Sequence, residues 1–290
     1  MDFLGNIIGY IMSLIYGIVS NYGFTIILIS ILMKLIMLPL TIKQQKSMAA
    51  LNQIQPLITE VQQKYANDKE KQSTEMMKIY KEYNVQPFAS CLPLLLQLPI
   101  LFGLYSAIGR PLSFMLRLTA EQITKLGSLI GFEITSKMSA YSYEIAMAKT
   151  ASMPEFVSKV QEAISNFNPI DFNFFGLDLS LTPSFSVISI IWILPGLAAL
   201  LTYLSSRIMQ ADTAKQDEMQ STQKTMNLLM PVMILMFGFQ VPAGLSLYWT
   251  INSLLQIVQY YTLDKNFKKQ LANEIAVKTA SMESKKNKRG

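Results

Sequence analysis

Five apolar stretches of near twenty residues constrain this chain more than any other feature. They run from Tyr22 to Ile42, Pro87 to Ile108, Pro183 to Leu204, Thr222 to Phe239 and Ala243 to Leu263. A helix needs roughly 20 residues to cross a hydrocarbon core of about 30 Å. Runs of that length, in a chain that is 51% hydrophobic and 15% charged, predict an all-α polytopic membrane protein with five transmembrane helices. The last two runs are separated only by Gln240, Val241 and Pro242, so they must form a tight helical hairpin with an uncharged turn.

Histidine is absent, and the single cysteine, Cys91, lies in an apolar segment. No disulfide framework and no Cys/His metal site follows from such an inventory. No phosphate-binding glycine loop is present, and neither a catalytic residue nor a cofactor is expected. The net charge of +6 gathers beside the apolar runs and in the tail, which fits anionic lipid or ribosomal RNA and not DNA.

Five spans place the termini on opposite sides, and lysine and arginine decide which is which. Lys43, Lys46, Lys64, Lys69, Lys71, Lys78 and Lys81 lie between the first two spans, and Arg207, Lys215 and Lys224 between the third and fourth. The tail adds Lys265, Lys268, Lys269, Lys278, Lys285, Lys286, Lys288 and Arg289. These regions are assigned to the cytoplasm and the N-terminus to the outside. Residues 109–182 hold six basic and seven acidic residues and are read as a long extracytoplasmic loop, a length that crosses largely regardless of charge.

The organisation in order is an N-terminal interfacial helix (1–21), a first span (22–42), a cytoplasmic helical hairpin (43–86) and a second span (87–108). The outer loop (109–182), a third span (183–204), a cytoplasmic loop (205–221), two closing spans (222–239 and 243–263) and a basic cytoplasmic tail (264–290) complete it. Residues 3–19 lack the basic start and cleavage site of a signal peptide. Gly5, Asn6, Gly9, Ser13, Gly17 and Ser20 recur at helical intervals. They predict a weakly polar stripe on a helix lying in the outer interface, with a sixth span as the other reading. In the hairpin, Met48, Leu51, Ile54, Ile58, Val61 and Tyr65 form one apolar stripe, and Met76, Ile79, Tyr80 and Tyr83 a second, joined by the turn Asn67-Asp68-Lys69. Pro56 predicts a kink or a restarted helix near Gln55. The pair either closes a loop by covering itself or serves as a platform for incoming chains, a use to which methionine-rich surfaces are suited.

One interior span position is charged. Lys34 lies about 12 Å from the cytoplasmic end of its span at 1.5 Å per residue. Lysine at the centre of a span costs about 2.5–3.5 kcal/mol, which makes such a residue a functional candidate, with a snorkelling lysine as the structural alternative. The spans offer no acidic partner. Trp249, Asn252, Gln256 and Gln259 recur on one face of the last span. Gln97 sits between Pro93 and Pro99, and Ser30 lies one turn from Lys34. Lys34, Ser30, Gln97, Trp249, Asn252 and Gln256 are the candidate groove, although polar side chains also join transmembrane helices without further purpose.

The run Met226-Asn227-Leu228-Leu229-Met230-Pro231, with Val241-Pro242-Ala243-Gly244-Leu245-Ser246-Leu247-Tyr248-Trp249 and Asn252, resembles the C-terminal signature of the YidC/Oxa/Alb family in its compact bacterial five-span form. Cys91-Leu92-Pro93 with Gln97-Leu98-Pro99 and Leu104-Tyr105 resembles the family's second-span motif, and Gln55-Pro56 with Lys64-Tyr65 its cytoplasmic hairpin. The likeness runs from about Tyr22 to Asp264. It implies an insertase and chaperone of the bacterial plasma membrane, acting without covalent chemistry. The groove it implies is open to cytoplasm and lipid and closed outside. Nascent membrane-protein clients and the lipid bilayer are the implied partners, with the Sec translocon and the ribosome as further ones through the hairpin and tail. Family members carry an arginine where this chain has Lys34, a planar fork exchanged for a flexible point charge. Two further departures are expected, the lack of a lipoprotein-type signal and of a large folded extracytoplasmic domain. A small-solute transporter or channel using Lys34 and a passive membrane scaffold are the rival readings.

Overall fold

The computed structural model of the chain describes residues 2–83, 85, 92–132, 140–210, 220–264 and 277. Cys91 and nearly all of the basic tail lie outside these residues. The fold is mostly helical, with helices α1 (Asp2–Val19), α2 (Tyr22–Lys64), α3 (Lys69–Glu82), α4 (Leu92–Gly109), α5 (Pro111–Phe114), α6 (Ala120–Ile130), α7 (Ala140–Ala151) and α8 (Pro154–Ala163). Then come strands β1 (Asn173–Phe174) and β2 (Leu177–Asp178) and helices α9 (Ile193–Gln210), α10 (Gln220–Gly238) and α11 (Ala243–Gln259). The two strands pair antiparallel, with Asn173 opposite Asp178 and Phe174 opposite Leu177. The expectation of an all-α chain is corrected to that extent. Among the described residues, Tyr22–Gln45 and Ile190–Ile208 are the segments long and apolar enough to cross a membrane by length and composition. Phe3–Val19, Gln97–Gly109 and Leu228–Gly238 are shorter apolar helices.

Two compact units divide the chain. The first comprises Met1–Lys34, Gln97–Arg207 and Thr222–Leu255. Its core joins Ile8, Met12 and Tyr16 of α1 to Tyr22, Ile26 and Ile29 of α2, Leu104 and Ile108 of α4 and Leu245 and Tyr248 of α11. The stripe of small residues on α1 is divided: Asn6, Gly17 and Ser20 are exposed and Ser13 is half-buried. Gly5 and Gly9 are buried, and a Cβ on Gly9 would stand 2.3 Å from the carbonyl oxygen of Phe114. Gly5 and Gly9 are therefore a packing seam, while Phe3, Ile7, Tyr10, Leu14 and Ile18 form an exposed apolar stripe.

The segment after α4, expected to be a long loop, holds helices α5 to α8 and the β1–β2 pair. Helix α6 begins with a capping box, Thr119 accepting from the Gln122 amide and Gln122 reaching back, and ends at Gly131 in the left-handed region. Leu112, Met115, Leu126, Met147, Val160 and Leu179 are buried in the same core as the long helices. Sequence periodicity is short here, and the acidic and basic residues that suggested a solvated loop are partly engaged inside it. Glu144 is fully buried, its Oε1 accepting from Arg110 Nε at 2.7 Å. Lys149 donates to Asp178. The third apolar run, expected to be helical from Pro183, becomes regular only at a 3-10 turn, Ile190–Trp192, that leads into α9. Pro183, Ser184 and Ser186 favour turns, and Ser184 pairs with Val187 in an isolated bridge.

The second unit comprises Leu35–Leu96, Ile208–Ser221 and Gln256–Gly290. Here α2 continues past the apolar run and pairs with α3 around Leu51, Ile54, Ile58 and Val85, against which Met76, Ile79, Tyr80 and Tyr83 pack. Asp68 caps α3 by accepting from the Lys71 amide, and Gln72 Nε2 donates to the Gln62 carbonyl at 2.9 Å. The helix does not restart at Pro56. Pro39 and Pro56 both lie inside α2, and the Thr41 and Thr59 hydroxyls donate to the carbonyls of Leu38 and Gln55 at 2.9 and 3.1 Å. Each hydroxyl adds a bond near a carbonyl ladder that proline has interrupted.

Candidate functional site

Helices α2, α4 and α11 meet at Gly244. A Cβ there would stand 3.1 Å from Ile26 Cδ1, 3.4 Å from Ile108 Cγ2 and 3.5 Å from Tyr22 Cε1, so the helices approach closely and any larger residue would need Ile26 to give way. The crossing is locked by the Tyr22 hydroxyl, which donates to the Ile108 carbonyl at 2.6 Å. One short segment then collects helix ends. The Asp171 carbonyl accepts from the Tyr22 amide at 2.9 Å, while Leu181 and Leu179 accept from Ala243 and Gly244 at 2.9 and 3.0 Å. The first turns of α2 and α11 thus give up otherwise orphaned amide protons to the folded segment after α4, which we call the cap.

Away from the cap the seam turns polar. Gln97 Nε2 on α4 donates to the Tyr248 hydroxyl on α11 at 3.3 Å, with Gln97 half-buried and Tyr248 buried. Lys34 and Gln97 each stand twelve residues from the cap-side end of their helices, about 18 Å along a helix axis. Lys34 is half-buried. Ser30 is buried, and its hydroxyl donates back to the Ile26 carbonyl at 2.5 Å, so its hydrogen is used within α2 while its oxygen can still accept. Trp249 and Asn252 are half-buried on α11, and the Trp249 ring lies edge-on to Phe237 of α10 at 5.6 Å. Gln256 continues that face of α11 but belongs to the second unit. Of the six predicted residues, five stand in the first unit on the three helices that converge at Gly244.

Sequence reasoning missed Tyr248, the partner of Gln97, and the second polar face of α11. On that face Thr250 Oγ1 bonds the Ser246 carbonyl at 2.8 Å, and Ser253 Oγ lies 2.9 Å from Thr202 Oγ1 of α9. Ser246, Thr250 and Ser253 have spacings of four and three, the signal that could have found them. Thr250, through the Leu194 carbonyl, and Ser253 join α11 to α9 as interhelical glue, which leaves the Trp249 and Asn252 face for another use. Among the described residues no group of three or more His, Cys, Asp or Glu side chains is placed to hold a metal ion.

Electrostatics differ in the cap. Burial alone would raise the Asp178 carboxyl, but the Lys149 ammonium and two hydrogen bonds from Ser180 hold it below the usual carboxylate value. Lys149 and Asp178 line an open cavity of about 870 Å³ together with Tyr16, Ser152, Pro169 and Asp171. Its polar atoms are used internally, since the Tyr16 hydroxyl donates to the Pro169 carbonyl at 3.0 Å and accepts from the Asp171 amide at 2.8 Å.

Apolar helices converging on a glycine contact, in a chain whose segments Tyr22–Gln45 and Ile190–Ile208 are long enough to cross a membrane, have the build of a helical membrane protein. Comparison with known proteins narrows the class. The sequence model of the family described as 60Kd inner membrane protein matches residues 14–270. The chain is 34% identical over 257 residues to a membrane protein insertase YidC of Clostridium perfringens, covering 87% of this chain and 83% of the relative. It is 31% identical over 268 residues to that of Clostridium tetani, covering 92% of each. With that of Fusobacterium nucleatum the figures are 28% over 247 residues, covering 85% and 88%. The chain belongs to the 60Kd inner membrane protein family, the YidC/Oxa1 family.

Proposed function

We propose that this chain is a membrane protein insertase that receives apolar segments of client proteins along α2, α4 and α11. The observation that carries the mechanism is the Gln97–Tyr248 contact below the Gly244 crossing, which puts polar groups on the seam of helices that are otherwise apolar. A client's hydrophobic segment lies along this seam while its short polar flank rests beside Lys34, Ser30, Gln97, Trp249 and Asn252, with Gln256 one turn beyond Asn252. Polar partners there lower the cost of unsatisfied client groups partway through hydrocarbon. Release into lipid is driven by burial of apolar surface, at roughly 25 cal/mol per Å². The positive charge of Lys34 attracts acidic flanks.

Five spans with an outer N-terminus and a cytoplasmic C-terminus are supported by the amide protons that α2 and α11 give to one cap and by the basic residues of 43–86, 205–221 and 264–290. In this reading α1 lies in the outer interface, its exposed apolar stripe toward lipid. The α2–α3 pair is the cytoplasmic hairpin, and with the basic tail it is the surface offered to a ribosome or a Sec translocon. Neither a solute transporter nor a passive scaffold is favoured, since the relatives above carry the insertase name.

Vesicles containing only this protein should insert a short single-span client with an acidic translocated flank, read by protection of the flank from protease. Lys34→Arg should keep most of that activity, and Lys34→Glu should lower it by about tenfold, equivalent to roughly 1.4 kcal/mol. Failure with several such clients overturns the function. Equal activity of the two variants removes Lys34 from the mechanism.

A further inference from the structure

The least water-compatible surface of the first unit lies at the cap-side ends of the long helices. The turn of the β1–β2 hairpin consists of Phe175 and Gly176 with φ of 51° and 81°. Paired left-handed residues are what a tight two-residue hairpin turn requires, and Asn-Gly supplies them best. A bulky aromatic at the first position is a conformational outlier. Here it leaves the Phe175 side chain at the tip with 83% of its surface exposed.

That tip is held in place. Asn21 Nδ2 bonds Asp171 Oδ2 at 3.0 Å and the Asn173 carbonyl at 2.8 Å, and Asn173 Oδ1 accepts from the Gly176 amide at 2.9 Å. Phe174 lies against Gly23, where a Cβ would meet the ring at 2.2 Å. The rings of Phe174 and Phe175 lie 5.3 and 6.0 Å from that of Phe24, on the first turn of α2. Phe24 and Leu28, one turn apart, are themselves exposed. The hairpin tip therefore continues the outward apolar surface of α2.

A second aromatic group stands at the start of α9 and the end of α10. Phe185 stacks on Phe239 at 4.0 Å, and Trp192 lies edge-on to Phe239 at 4.8 Å. Ile188 and Ile190 beside it are 85% and 73% exposed. Leu181 to Ile193 contains no charged residue, so neither an acidic nor a basic protein surface is complemented here. Aromatic rings at the ends of apolar helices belong to the boundary between headgroups and acyl chains, where a flat apolar body meets water at one edge. Left in water, a surface of this kind would associate.

We propose that the Phe175 hairpin tip and the Phe185–Trp192–Phe239 group are a lipid anchor that seats the cap in the headgroup boundary of the outer leaflet. The anchor rests on the reading that the long helices span the bilayer. It fixes the cap at one depth against the helix ends it collects.

The test uses the full chain with Trp192→Phe and Trp249→Phe, carrying Phe175→Trp or, independently, Ile188→Trp, in phosphatidylcholine–phosphatidylglycerol vesicles. The lipids carry bromine either near the carbonyls or near the chain ends, and Leu229→Trp on the exposed face of α10 serves as the mid-span reference. At residues 175 and 188 we expect blue-shifted emission, weak quenching by aqueous acrylamide, and shallow bromines quenching at least about twofold more than deep ones. At residue 229 deep bromines should dominate. Strong acrylamide quenching at both anchor positions with normal behaviour at 229 overturns the anchor and leaves the spans standing. Shielding of 175 and 188 from bromine and acrylamide alike means that protein, such as a second copy, covers the patch, and also overturns it. Loss of deep quenching at 229 overturns the spanning reading and the anchor with it.

Discussion

Replacing Glu144 by alanine should loosen the cap without touching the polar seam. The carboxylate is fully buried, with Oε1 accepting from Arg110 Nε and Ser113 Oγ, each at 2.7 Å, and Oε2 accepting from the Ser113 amide at 2.9 Å. Arg110 follows the last residue of α4 and Glu144 sits in α7, so the cluster ties the end of a long helix to the cap. Breaking a buried pair by removing one partner costs about 3–5 kcal/mol. Arg110 retains 27% side-chain exposure and can recover some hydration, which places the cost near the lower end, at about 3 kcal/mol. Replacing both charges, Arg110→Leu with Glu144→Leu, should cost less than the single change. Both changes deprive the half-buried Ser113 of the carboxylate, but only the single change also leaves the Arg110 charge facing the vacated site. Thermal unfolding in detergent measures the totals, and hydrogen exchange across α5 and α7 shows where the loss occurs. A Glu144→Ala cost below about 0.5 kcal/mol, the range of ordinary surface changes, would refute the reasoning. So would a double variant less stable than the single one.

Ile54→Ala, at a fully buried position of the hairpin cluster, should cost about 2–5 kcal/mol within that unit, seen as faster hydrogen exchange across residues 69–82 with the cap unchanged. The Asp178 carboxyl is held below its unfolded value, so its contribution is fully present above about pH 4 and is lost as pH falls through the lower folded value. Cap stability measured between pH 5 and pH 3 should therefore fall, and Asp178→Asn should flatten that dependence; an unchanged slope removes Asp178 as its source. Gln259→Leu should raise stability in detergent by roughly 1–3 kcal/mol, because among the described residues both buried amide atoms of Gln259 have no hydrogen-bond partner, and should reduce client insertion if those atoms serve the client.

The long helices were legible because lipid demands continuous apolar runs, and the two stripes of the hairpin because Ile54, Ile58, Ile79 and Tyr80 keep a helical period. The cap was not. Its helices are short, and its cohesion comes from contacts such as Asn21 with Asp171 that link residues 150 apart, which no local pattern reports. Two members of the α1 stripe, Gly5 and Gly9, took another role for a related reason. Glycine counts as weakly polar on a hydropathy scale, yet Gly5 and Gly9 are small enough to become a seam against Phe114, and sterics outrank polarity wherever two backbones approach. At the site, Lys34 stood out because charge in an apolar run is rare. Tyr248 stayed hidden because its hydroxyl has meaning only beside Gln97.

Unmet polar atoms are unevenly distributed, and that unevenness bears on mechanism. In the cap the buried Glu144 is engaged by three bonds, and the half-buried Asp178 by Lys149 and Ser180. Among the described residues, Ser246 Oγ is the buried side-chain atom of the first unit without a partner, whereas the second unit has Gln44 Nε2, Gln45 Oε1 and both amide atoms of Gln259. Each such atom costs roughly 1–3 kcal/mol in a folded protein. A core selected only for stability would replace these amides with leucine or methionine. Their position in the part of the chain that joins the hairpin to the end of α11 makes sense if the missing partners arrive with a client, whose flanks carry backbone and side-chain groups equally in need of hydrogen bonds. In the insertase reading proposed above, the folded cap supplies stability and these amides supply affinity for a client that does not stay.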